Sequence, residues 1–233
     1  MNSFEMILGI EASNIRAGGG LTHLTEILNN IEYNEIGFDK VVIWASSSTL
    51  KSLPKKECLV AFTFDDGFEE CYTTIAPLLE KYNCNAAFFI NANYIGSDEN
   101  YQQSFNTRIN TFTKKPMSWE QVIDLHRRGH VIGAHTLDHV NMAELTEKEL
   151  VFQLAENKKI LESKINYNCE YFAWTYGKLQ HFPEEALLQT LKYHRYIFSG
   201  TNYKHYFSLN GRVINRRHIE AFWPKAQIKY FLQ

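Results

Sequence analysis

The sequence predicts an α/β protein built on a parallel sheet. Short apolar runs alternate with amphipathic stretches along almost all of the 233 residues, and 45% hydrophobic residues are enough for a substantial core. The polar motifs of the chain fall just after the apolar runs, at the strand ends where α/β folds collect their sites.

Residues 6–12 (MILGIEA) read as a first strand. The glycines Gly18, Gly19 and Gly20 follow, and then Leu21, Leu24, Ile27, Leu28 and Ile31 recur at helical spacing. A second strand, FDKVVIWAS, completes one β-α-β unit. The polar stretch SSSTLKSLPKKE (46–57) reads as a connector, and the pattern then restarts. LVAFTF is a buried strand ending at Asp65 and Asp66, FEECYTTIAPLLEKY a helix and NAAFFINANYI a strand. Residues 97–115 are polar and aperiodic and read as a surface loop. SWEQVIDLHRRG is a helix with Ser118 as N-cap and Gly129 beyond its end, and HVIGAHT is a strand. Thr146 with Glu149 forms a capping box for a long helix. EYFAWTYG is a strand and turn, PEEALLQTLKYH a helix, RYIFSGT a strand and GRVINRRHI a final strand.

Composition excludes several classes of function. Lys and Arg total 24 against 26 for Asp and Glu, so there is no basic excess to hold a nucleic acid. No apolar run reaches the roughly 20 residues of an integral membrane segment. The opening MNSFEMILGIEAS has no basic start and is interrupted by Glu5 and Glu11, so it reads as a strand rather than a secretory signal. Cys58, Cys71, Cys84 and Cys169 have no CxxC pairing. A cytoplasmic chain with reduced thiols is the expectation.

Three motifs carry chemistry: TFDDG (Thr63 to Gly67), HTLDH (His135 to His139) and YFAWTYG (Tyr171 to Gly177). Two histidines four apart lie on one face of a helical turn, and a carboxylate from another strand completes a His2Asp set with open positions. A divalent ion in such a set lowers the pKa of water from about 15.7 to about 7 and polarises a carbonyl, which suits amide hydrolysis. One aspartate of the pair can serve as ligand while its neighbour takes the proton.

These motifs resemble the polysaccharide deacetylase family, the carbohydrate esterases that share the chitooligosaccharide deacetylase (NodB) homology domain. The resemblance covers about residues 57 to 233 and includes the helix and strand SWEQVIDLHRRGHVIGAHT. It implies a distorted (β/α) barrel of about seven parallel strands, Asp65 as catalytic base, and Asp66, His135 and His139 as metal ligands. The third motif of the family usually reads Arg, any residue, Pro, Tyr, Gly. Here Ala173 stands at the arginine position and Thr175 at the proline position, while Tyr176 and Gly177 are retained. The backbone N–H of Tyr176 takes the oxyanion role by this resemblance, and Trp174 and Gly177 are the substrate-binding candidates of the motif. The missing arginine ordinarily pairs with the catalytic aspartate, so Asp65 must be tuned by another group or by desolvation. His218 is the candidate nearest in position to the general acid of the family. Aromatic residues Tyr94, Tyr101, Phe105, Trp119, Trp174, Tyr203 and Tyr206 are candidates for stacking on sugar.

Before these motifs, GIEASNIRAGGGLTHLTEILNN followed by GFDKVVIWAS resembles the opening of a retaining glycosyltransferase of the two-Rossmann-domain type. So short a segment cannot hold a donor cleft that needs two full domains. The expected organisation is therefore a glycosyltransferase-like fragment over 1–54, forming a small N-terminal β-α-β appendage, and a catalytic domain over 55–233.

The expected reaction is removal of an N-acyl group, N-acetyl first, from an amino sugar of a polysaccharide or its precursor. The expected cofactor is Zn2+, with Co2+ or Mn2+ fitting the same ligands. The expected partners are a carbohydrate substrate and proteins of polysaccharide biosynthesis. A deformylase or another amidase on the same scaffold, or a noncatalytic carbohydrate-binding relative, are the alternatives.

Overall fold

The computed structural model describes residues 7–12, 40–45, 61–111, 113–200, 202, 205, 207–220 and 222–231. Two compact units are present, residues 1–60 with 232–233, and residues 61–231. In the first unit, β1 (Ile7–Ala12) pairs in parallel with β2 (Lys40–Ala45), Ile7 opposite Lys40 and Ala12 opposite Ala45. The glycine run Gly18 to Gly20, the expected helix after it and the connector 46–57 lie outside the described residues.

The second unit is organised by a seven-stranded sheet of β3 (Phe62–Phe64), β4 (Ala86–Ile90), β5 (Val131–Ala134), β6 (Tyr171–Ala173), β7 (Tyr196–Phe198), β8 (Phe207–Ser208) and β9 (Val213–Ile214). Its order is β3-β4-β5-β6-β7-β9-β8, and every neighbouring pair is parallel except β8 with β9. The sheet curls into a half-barrel, the expected distorted barrel with its edge strand β8 reversed. A tight hairpin in which Leu209, Asn210 and Gly211 all take positive φ joins β8 to β9, and the predicted final strand is two residues long.

Helices alternate with the strands along the chain. A π-helical turn (Cys71–Ile75) leads into α1 (Ala76–Glu80), followed by α2 (Glu99–Arg108), α3 (Trp119–Arg127), α4 (Glu147–Ile165), α5 (Glu184–Thr190) and α6 (Lys225–Phe231). The predicted caps are present: Ser118 and Gln121 form a capping box on α3, Thr146 and Glu149 another on α4, and Gly129 turns at φ +90° beyond α3. The core lies between sheet and helices. Phe88, Ile90, Ile132, Phe172 and Ile197 from the strands meet Leu125, Leu154 and Leu161 from α3 and α4, each full burial contributing roughly 1.5–3 kcal/mol. Inside the half-barrel, Phe89 fills space that Gly133 leaves open, since a Cβ on Gly133 would lie 2.6 Å from the ring.

One element departs from the sequence expectation and bears on the site. Residues 97–115 contain α2, whose N-cap Asp98 accepts a hydrogen bond from the Tyr101 N–H at 2.9 Å. Only Phe105 of this helix is fully buried, stacked on Tyr94 at 3.9 Å between ring centroids. A helix with a single buried apolar residue leaves no 3.6-residue stripe in the sequence, and capping with aromatic packing carries it instead. No described helix is long and apolar enough to cross a membrane.

Candidate active site

The site forms where four strand ends meet. β3 ends in Asp65 and Asp66, β4 in Asn91, β5 in His135 and β6 in Trp174 and Tyr176. Asp66 Oδ1 lies 3.4 Å from His135 Nε2 and 3.3 Å from His139 Nε2. One ligand atom from each of these residues falls within 4.8 Å of the others, so the three predicted ligands converge.

The spacing of the histidines works differently from the expectation. HTLDH is a loop rather than a helical turn, with Thr136 at φ +60° and His139 at φ +54°. Asp66 at φ +73° and Tyr176 at φ +60° are also left-handed, so each of the three motifs holds its functional residue in sparsely populated backbone. Such conformations persist only where the surroundings over-determine them. Asn91, fully buried, supplies part of that constraint: its Nδ2 donates to the carbonyl oxygens of His135 and Thr136, the latter at 3.0 Å. Asn157 of α4 holds the same strand end, donating to the Ile90 carbonyl at 3.1 Å and accepting the Ala92 N–H at 2.9 Å.

The donor set fits a divalent cation. Asp66 Oδ1 is buried, has no hydrogen-bond partner among the described residues and faces two imidazole nitrogens. His135 Nδ1 lies 2.7 Å from the Ala173 carbonyl. It must carry the proton to donate there, which turns the Nε2 lone pair toward Asp66, the usual orientation of a metal-ligating histidine. Burial lowers the pKa of His135, but the carboxylates of Asp65 and Asp66 and the Ala173 carbonyl outweigh it and the net shift is upward. Burial dominates at His139 and pushes it down to about 4, so that imidazole is neutral near pH 7.

Asp65 is tuned by a residue the sequence did not single out. Arg216, two residues beyond β9, grips the carboxylate bidentately, Nη1 to Oδ1 at 2.6 Å and Nη2 to Oδ2 at 2.8 Å. It also donates to Thr63 Oγ1 at 3.1 Å and to the Ser199 carbonyl, and its guanidinium lies 5.2 Å from the Phe89 ring centroid. Burial raises the pKa of Asp65, yet Arg216, together with His135 and His139, brings it down to about 2. The arginine absent from position 173 is thus replaced from the opposite edge of the sheet. The only sequence signal was the basic pair Arg216 and Arg217 after a strand, which nothing ties to Asp65 until the sheet curls.

The remaining candidates separate. Tyr176 sits with its ring 4.8 Å from His139 and is 42% exposed, at the edge of a cavity of about 590 Å³ lined also by Arg108, Asn141, Glu144 and His181. Among the described residues its N–H has no acceptor. Trp174 requires correction: it is 1% exposed and stacks on Phe182 at 4.4 Å, so it belongs to the core and not to a substrate surface. Tyr94 and Phe105 are likewise buried, and Tyr203 and Tyr206 lie outside the described residues. Gly177 is accounted for by packing, because a Cβ there would lie 2.7 Å from Gly200 Cα. His218 is half-exposed and bonded to Glu220 at 2.6 Å, and the contacts described for Asp65, Asp66, His135 and His139 do not include it.

Comparison with known proteins decides the family. The family model described as polysaccharide deacetylase matches residues 52–196. The chain belongs to the polysaccharide deacetylase family. Among curated members, a peptidoglycan-N-acetylglucosamine deacetylase of Bacillus cereus is 31% identical over 111 residues, covering 47% of this chain and 43% of that protein. A poly-beta-1,6-N-acetyl-D-glucosamine N-deacetylase of Escherichia coli is 24% identical over 165 residues, covering 59% of this chain and 24% of that protein. This polysaccharide deacetylase chain spans under half the length of the curated relatives it matches. The structure of the Streptococcus pyogenes deacetylase PplD in complex with acetate superposes with a TM-score of 0.59 at 16% identity, covering 98% of both chains, which supports the fold. The glycosyltransferase resemblance of residues 1–54 finds no support in these comparisons. A strand, glycine loop and helix recur across parallel α/β folds and are weak as a family mark.

Proposed function

We propose that this chain is a metal-dependent hydrolase that removes the N-acetyl group from an amino sugar within a polysaccharide or its precursor. The observation that carries this reading is the unpartnered, buried Asp66 Oδ1 facing His135 Nε2 and His139 Nε2 at 3.3–3.4 Å, with a second carboxylate beside it. Family membership supports hydrolysis of N-acetyl amino sugars. Zn2+ is the proposed ion, because a His2Asp set with open positions suits it.

A divalent cation held by Asp66, His135 and His139 would supply Lewis acidity, making water acidic and the acyl carbonyl electrophilic. The chain's own groups do the rest. Asp65, kept ionised and oriented by Arg216, accepts the proton of the attacking water. The Tyr176 N–H donates to the oxygen that gains charge as the carbonyl becomes tetrahedral. Collapse then breaks the C–N bond, the amine leaves with the proton that Asp65 took from the water, and acetate is released. The Tyr176 ring and the adjoining cavity offer a face and polar walls to the sugar. Ala173 at the arginine position of the family would favour a noncatalytic relative, and the bidentate pair of Arg216 with Asp65 argues against that alternative.

The test is acetate release from oligomers of N-acetylglucosamine and from peptidoglycan, with formate assayed alongside. Chelation should abolish release and Zn2+ restore it. Asp65→Asn should lower turnover by roughly 10²–10⁴-fold while still binding one equivalent of Zn2+. Turnover unaffected by Asp65→Asn would remove the proposed base, and formate in place of acetate would change the acyl group.

A further inference from the structure

Between the two histidines, the loop carries an acidic side chain that the reaction does not use. The Asp138 carboxylate accepts three side-chain hydrogen bonds: at Oδ1 from Asn93 Nδ2 (2.7 Å) and the Tyr101 hydroxyl (2.5 Å), and at Oδ2 from Gln153 Nε2 (2.8 Å). Gln153 closes a second link, its Oε1 accepting the Asp138 N–H at 3.0 Å. The donors come from three elements: the segment after β4, the helix α2 and the helix α4. All three are uncharged, so this arrangement fixes geometry rather than neutralising charge, and each such bond to an ionised acceptor is stronger than a neutral one.

The position of this clamp matters because of what lies on either side of it. Thr136 and His139 are both left-handed, so the aim of the His139 ring at Asp66 depends on a backbone conformation that surrounding groups must hold. Asn91 holds the start of the loop through the His135 and Thr136 carbonyls. The end of the loop, next to His139, is held by Asp138. The same helix α2 that supplies Tyr101 also places Phe105 edge-on to His139 at 5.9 Å.

We propose that Asp138 is a positioning residue for metal binding: with Tyr101, Asn93 and Gln153 it locks His139 in the strained conformation that aims Nε2 at Asp66. The proposal rests on the metal-site reading above. Groups that orient ligands in this way typically contribute about 10–100-fold to metal affinity. Amide flips cannot easily rescue Asp138→Asn, because a new N–H2 would face either the Gln153 amide or the Tyr101 and Asn93 donors.

The experiment is titration of the metal-free full chain with Zn2+ alone, read as a dissociation constant beside the thermal midpoint of each metal-free variant. Asp138→Ala should weaken Zn2+ binding by roughly 10–100-fold. Tyr101→Phe, which removes one hydroxyl and keeps the ring, should weaken it several-fold. The double variant should be no weaker than Asp138→Ala, since the hydroxyl acts through that carboxylate. Dissociation constants within twofold of the parent in both single variants overturn the proposal, whatever happens to the midpoints. If Asp138→Ala does not fold, an unchanged constant in Tyr101→Phe overturns it by itself. A parent chain that fails to bind Zn2+ overturns the metal site and the proposed function together, whereas parent binding with unaffected variants removes only the role of Asp138.

Discussion

Replacing Arg216 with Met should destabilise the chain in a manner that depends on pH, and the dependence is what identifies the cause. Met retains much of the aliphatic volume over Phe89 and loses the two bonds to Asp65 at 2.6 and 2.8 Å. Asp65 is held at about 2 against an ordinary value of 3.8. At about 1.36 kcal/mol per pKa unit, that shift corresponds to roughly 2 kcal/mol of folding stability near neutral pH. The Asp65 side chain is 30% exposed, and screening by water on that side keeps the figure from being larger. Because the folded-state value lies below the unfolded one, this stabilisation is fully present above about pH 3.8 and is lost as pH falls through about 2. Urea unfolding of the metal-free parent and of Arg216→Met should therefore differ by about 2 kcal/mol between pH 5 and 7, with the gap narrowing below pH 3.8. With the guanidinium gone, burial of Asp65 acts without its main counterweight, so the acid limb of kcat/KM should also move to higher pH. A gap that stays constant from pH 7 down to about pH 2, or that is absent at pH 7, would refute the argument that Arg216 acts through the charge of Asp65.

Two further outcomes follow from residues whose roles the structure revises. Trp174→Ala should cost about 3–5 kcal/mol in chemical unfolding and leave KM of the folded fraction unchanged, because the indole is core and stacked on Phe182; a large rise in KM without loss of stability would return Trp174 to the substrate surface. Gly177→Ala should lose about 2 kcal/mol or more, from positive φ and from a Cβ placed 2.7 Å from Gly200 Cα, and a thermal midpoint equal to the parent's would contradict that crossing.

From its sequence alone, the chain is readable wherever structure is local. The N-cap at Ser118 and the capping box of Thr146 with Glu149 each act within four residues, strands such as Ala86–Ile90 are continuous apolar runs, and the order of β-α units implies a parallel sheet. TFDDG and HTLDH stand out for the same reason, each packing its chemistry into five consecutive residues. What tertiary structure decided is everything set by distance along the chain or by a few contacts. Arg216 reaches Asp65 across 151 residues because the curled sheet brings its two edges together, and no local pattern encodes that closure. The histidine pair looked helical by spacing, yet Asn91 and the clamp on Asp138 hold it as a strained loop. Helix α2 was hidden because one buried phenylalanine and an aspartate cap, rather than an apolar stripe, hold it in place. Local propensity specifies elements through neighbours a few residues apart, whereas the ligand geometry and the charge on the base are set by side chains that meet only once the sheet has folded.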